Sequence, residues 1–108
     1  MAEQTQNPHS VVVYFRMPGE DLTQLYALER QLTTALADAG AGTYDGHEIA
    51  LLDGDDAYLF LVGPDADRLY DAAQPVLTGS SLLKGAEITL RYGSADDEDV
   101  LLRRLPLN

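Results

Sequence analysis

The chain has 108 residues, no cysteine, 45% hydrophobic residues and a formal charge of −11 from 18 acidic and 7 basic side chains. That length makes one domain with one core. The missing cysteines exclude disulfides, thiolate metal sites and a cysteine nucleophile, and no stretch reaches the roughly 20 apolar residues of a membrane-spanning helix.

The acidic field repels phosphate backbones and anionic lipid, so nucleic acid and membrane are poor partners. A basic protein or a metal ion suits it better, although acidity also serves solubility alone. Met1 to Ser10 is polar, without the apolar core of a secretory signal. It reads as a flexible lead-in, residues 1–10, before a single α+β domain over residues 11–108. A cytoplasmic location fits this composition.

Val11-Val12-Val13-Tyr14-Phe15, between Pro8 and Pro18-Gly19, predicts a buried strand. Both of its alternating faces are apolar, as in a central strand covered on both sides. A helix follows. Glu20 and Asp21 put negative charge at its start, where the helix dipole favours it. Leu22, Leu25, Leu28, Leu32, Leu36 and Ala39 form one apolar stripe at three- and four-residue steps. Glu29, Arg30, Gln31 and Thr33 lie off that stripe. Gly40 and Gly42 end the helix.

Thr43 to Leu52 predicts a second strand, with Gly46 marking a bulge or a close backbone approach. Asp53-Gly54-Asp55-Asp56 has the composition of a hairpin turn. Ala57 to Val62 is a third strand, again apolar on both faces, stopped by Gly63-Pro64. Asp65 is a good N-cap for a second helix, which buries Leu69, Ala72, Ala73, Val76 and Leu77 and which Pro75 kinks or ends. Thr78 to Gly85 reads as a loop with Leu82 and Leu83 as plugs. Ala86 to Tyr92 alternates, with Ile88, Leu90 and Tyr92 inward and Glu87, Thr89 and Arg91 outward. After the acidic turn Ser94 to Asp99, residues 100–105 read as a fifth short strand antiparallel to the fourth, with a tail helix as the alternative.

This order predicts a ferredoxin-like βαββαβ sandwich: an antiparallel sheet, two helices on one face and an added C-terminal edge strand. Strands one and three are then central, and they are the two strands apolar on both faces. The other face would expose aromatic residues from Tyr14, Tyr58 and Phe60. A large exposed apolar patch marks an interface, so the reading is a homodimer through the open sheet face.

Gly42 to Glu48, Tyr58 to Asp67 and Leu83 to Gly93 together resemble a group of small bacterial proteins of unknown function. The resemblance covers roughly residues 11–93. It implies a bacterial source and the same element order, and it brings no activity with it.

Four places are candidates for a site. Tyr44, Asp45, His47 and Glu48 gather a phenol, two carboxylates and an imidazole around Gly46. On a regular strand Asp45 and His47 share a face, where they would form a metal-ligand or acid–base pair; a bulge at Gly46 would send His47 to the opposite face. The bland alternative is a turn followed by ordinary edge-strand polar residues. Asp53-Gly54-Asp55-Asp56 lacks the full ladder and the distal glutamate of a calcium loop. The aromatic sheet face lacks the glycine-aromatic motif and basic surround of an RNA-binding domain. Ser80, Ser81, His9 and His47 form no nucleophile motif.

No catalytic constellation, cofactor motif or metal motif emerges. The sequence therefore reads as a non-catalytic interaction module, immunity- or antitoxin-like in its acidity. A small-molecule or divalent-metal site at Tyr44–Glu48 is the alternative.

Overall fold

The structure is a computed structural model that describes residues 9–16, 22–49, 56–93 and 102–106. Its elements in chain order are β1 (His9–Arg16), α1 (Thr23–Ala39), β2 (Thr43–Ile49), β3 (Asp56–Gly63), α2 (Ala66–Thr78), a 3-10 turn (Ser81–Leu83), β4 (Glu87–Arg91) and β5 (Leu102–Pro106). The five strands form one sheet in the order β2-β3-β1-β4-β5, and every pairing is antiparallel. β1 and β3 lie inside the sheet, where their doubly apolar faces belong. Residues 102–106 form a strand paired to β4, which settles the choice between strand and helix.

One side of the sheet is the core. Val11 sits beside Leu61 on β3 and Leu90 on β4, and Val13 sits beside Leu59 and Ile88. All six are buried. Leu25, Leu28, Leu32 and Leu36 of α1 and Leu69, Ala73 and Leu77 of α2 close over them in the same cluster. The leucine stripe is therefore core, each buried leucine contributing roughly 1.5–3 kcal/mol of transfer free energy. Ala39, at the end of the stripe, is exposed. Leu82 and Leu83 are buried plugs as expected.

Backbone chemistry fixes the joints. Gly40 adopts a left-handed conformation at φ 62° and its N–H returns to the last turn of α1. Gly42 is needed for a second reason: a Cβ there would collide with the Val62 carbonyl oxygen of β3. Asp65 caps α2, its Oδ1 accepting from Asp67 N at 3.0 Å and Arg68 N at 3.5 Å.

Three local expectations change. β1 begins at His9, so the strand takes in two residues that the sequence assigns to the lead-in. The reason is tertiary: His9 pairs with Gly63 across the sheet, and its Nδ1 accepts a hydrogen bond from Ala66 N at 3.0 Å. α2 does not end at Pro75; it continues to Thr78, held by Leu77, which stays fully buried. Tyr92 lies beyond the end of β4. The turn expected at residues 53–55 and the helix-start acids Glu20 and Asp21 lie outside the described residues.

Candidate functional site

β2 is where the sequence concentrates its chemistry, and its geometry turns on one residue. Tyr44 pairs with Leu61 of β3, and His47 pairs with Leu59. Three steps along β2 therefore match two along β3, which is a β-bulge. Gly46 sits inside it at φ 112°, a conformation open to glycine and strained for side-chain-bearing residues. The extra residue reverses the alternation. Tyr44 and His47 now share the helix-facing side, and Asp45 and His47 do not share a face as they would on a regular strand. Asp45 is exposed at the bulge. Glu48 pairs with Tyr58 and belongs to the opposite side of the sheet. The four residues of the segment are thus divided, with two turned toward α1 and two away from it.

What Tyr44 and His47 meet is Glu29 of α1. The Tyr44 hydroxyl donates to Glu29 Oε2 at 2.5 Å, and His47 Nδ1 lies 2.5 Å from the same oxygen. The Glu29 side chain is only 18% exposed. Burial holds the Tyr44 phenol well above its usual range, and the hydrogen bond to Glu29 and the Glu29 charge push the same way. Glu29 Oε2 accepts from the Tyr44 hydroxyl and, where Nδ1 carries the proton, from His47 as well. The cluster ties the sheet-edge strand to the helix over it. Its acceptor capacity at Oε2 is spent on two internal donors.

By helical periodicity Glu29 lies off the apolar stripe of α1. Its spacing contains the missing signal: Glu29 is four residues after Leu25 and three before Leu32, so it borders the stripe. A carboxylate at that border faces whatever lies at the edge of the sheet. Only the bulge in β2 supplies two donors there.

A second polar cluster gathers at the start of α2. His9 packs edge-on against Tyr92, with ring centroids 5.7 Å apart. The Tyr92 hydroxyl donates to Asp67 Oδ1 at 2.6 Å, and Arg103 Nη1 lies 4.0 Å from that oxygen. The hydrogen bond to Asp67 raises the Tyr92 pKa. This cluster fastens β1, β5 and the loop after β4 to one helix terminus. Among the described residues, no three His, Cys, Asp or Glu side chains come together as a metal ion would need.

The third region is the side of the sheet away from the helices. It carries Val12 and Tyr14 from β1, Tyr58, Phe60 and Val62 from β3, and Thr89 and Arg91 from β4, all half-buried. Tyr14 and Tyr58 lie 5.2 Å apart, and Tyr58 stacks with Phe60 at 6.4 Å. Toward β5 the surface sinks into a groove of about 400 Å³, whose lining includes Tyr14 and Tyr58 together with Glu87, Arg91 and Arg104. Arg91 Nε is buried and has no hydrogen-bond partner among the described residues. At the opposite corner Asp56 accepts from the Tyr14 hydroxyl at 2.6 Å and lies 3.9 Å from Arg16 Nε. The bond to Asp56 raises the Tyr14 pKa.

Searches of family models, curated proteins and solved structures give no match to this chain. No helix among the described residues is long and apolar enough to cross a membrane.

Proposed function

We propose that the chain is a non-catalytic interaction module that pairs with a second copy of itself through the sheet face away from the helices. The observation that carries this reading is the contiguous row Tyr14, Tyr58 and Phe60, with Val12 and Val62 beside it. Helices α1 and α2 share the core on the other side with Val11, Val13, Leu59 and Leu61. The three rings are half-buried in the single chain, so part of each remains for a partner to cover, and a contiguous apolar surface marks an interface.

The strand order β2-β3-β1-β4, with a helix after β1 and after β3, supports reading the fold as ferredoxin-like with β5 added at one edge. That architecture leaves one sheet face for a partner. The acidity of the chain also makes a basic protein a suitable further partner. The alternative, a ligand or metal site at Tyr44–Glu48, is less well supported. Tyr44 and His47 are committed to Glu29, and Glu48 lies on the other side of the sheet.

Light scattering on the intact chain tests the reading. Twice the chain mass of 11.8 kDa is expected at micromolar concentration. A mass of one chain up to millimolar concentration would contradict it.

A further inference from the structure

The first turn of α2 leaves the backbone N–H groups of Ala66, Asp67 and Arg68 without a partner inside the helix. The Asp65 carboxylate takes the second and third of these, and the Asp65 carbonyl oxygen takes the next amide, Leu69 N, at 2.9 Å. Ala66 N remains, on a residue that is fully buried. Its acceptor is His9 Nδ1, 3.0 Å away and 57 positions earlier in the chain. The alternation of β1 delivers the ring there, because His9 lies on the same side of the strand as Val11 and Val13 and so faces the helices.

This bond fixes the protonation of the ring. A backbone N–H only donates, so Nδ1 presents its lone pair; the ring is neutral and carries its proton on Nε2. A second proton would sit on Nδ1, pointing at the Ala66 N–H. The bond is then lost and a donor on a buried residue is left unsatisfied. A positive charge also stands at the end of the helix that the dipole already makes positive. Histidine is the side chain that makes this change between about pH 5 and 8.

The charged and titratable groups around the ring come from each element packed at this corner. Asp65, Asp67 and Arg68 belong to the start of α2, and Arg91 of β4 pairs with Ser10, the next residue of β1. Tyr92 packs edge-on against the ring, and Arg103 of β5 lies near Asp67. Two acids thus stand with three arginines, and each acid already accepts from a partner: Asp65 from two amides, Asp67 from the Tyr92 hydroxyl. The Ala66 bond is what separates the two protonation states of the ring.

We infer that His9 and Ala66 form an acid-released joint between β1 and α2. It is closed while the ring is neutral and opens when a proton takes the Nδ1 lone pair. Its contribution to stability is present in neutral solution and lost on acidification. The joint sits at the end of β1 that pairs with Gly63, so opening loosens the first residues of the strand while Val11 and Val13 stay anchored in the core.

Nuclear magnetic resonance of the intact chain tests the joint. Near pH 7.5, the His9 ring should show a bare Nδ1, a proton on Nε2 and a scalar coupling between Nδ1 and Ala66 N across the hydrogen bond. Near pH 5, the coupling should vanish and the exchange protection of the Ala66 amide should fall by about tenfold or more. Two variants separate this from the titration of carboxylates and of His47. H9N puts an amide oxygen that does not titrate near the position of Nδ1, so Ala66 protection should stay within about twofold over the same range. H9A offers no acceptor, and protection should be low at both ends. A proton on Nδ1 near pH 7.5, wild-type protection that survives near pH 5, or an equal fall in wild type and H9N overturns the joint. If neither variant folds, the ring protonation and the coupling in the wild-type chain decide the matter alone.

Discussion

The two sides of the same sheet use neighbouring residues for opposite purposes. Leu59 and Leu61 face the helices and are fully buried, while Tyr58 and Phe60, which alternate with them, face away and are only half-buried. The covered side is mainly aliphatic, with Phe15 buried among the leucines and Tyr44 and Tyr70 packed at its margin, and it carries no buried charged group among the described residues. The other side is aromatic, rimmed by Arg16, Glu48, Asp56, Glu87, Arg91 and Arg104. Aliphatic residues interdigitate into a dry core; tyrosines and arginines combine a large apolar body with a polar end, which suits a surface that must be soluble before it is covered. The covered side holds the fold together, and the open side is available for association.

This contrast can be broken most strongly on the covered side. Leu59→Ala should cost about 2–5 kcal/mol through lost burial and the cavity left behind, read by urea denaturation. Phe60→Ala, one residue away, should cost about 1 kcal/mol in the isolated chain and act mainly on association. Equal losses at the two positions would show that the two sides are not energetically distinct.

A smaller effect comes from the joint between the sides. Gly46→Ala meets no steric obstacle, so its cost is torsional, about 1–3 kcal/mol for a side chain held at positive φ. If the strand relieves the strain by losing its bulge, His47 leaves Glu29, and its ring resonances in an NMR spectrum should shift while those of Tyr14 do not. Smaller again is Glu29→Gln, which keeps the shape but weakens two charge-assisted hydrogen bonds and should cost about 1–2 kcal/mol. The pH dependence is the mildest test. Tyr44 holds its proton more tightly folded than unfolded, so its contribution is complete below the unfolded value of about 10 and is lost as pH rises above it. Tyr44→Phe should flatten the fall in stability measured above pH 10. Tyr14 and Tyr92 keep a weaker dependence of the same sign.

Local pattern carried much of the architecture. The leucine spacing of α1, the Asp65 cap and the alternation Ile88, Leu90 each encode an element within a few residues, and the doubly apolar β1 and β3 announce interior strands. The candidate site was far less legible. Gly46 marks a bulge or a close approach, but which of these it makes depends on the register against β3, more than ten residues away in the chain. Glu29 is a solvent-side residue by helical periodicity until β2 is laid beside α1. His9 joins β1 because Ala66, 57 positions later, needs an acceptor. In each case the deciding partner is remote in sequence, so no local window contains it.

Self-association through the open face is tested most directly by Tyr58→Glu. Sedimentation equilibrium of this variant beside the wild-type chain should show a dimer for the wild type and a monomer for the variant, with superimposable far-ultraviolet circular dichroism spectra. A folded variant that dimerises as tightly as the wild type, or a wild-type chain that never dimerises, would contradict it.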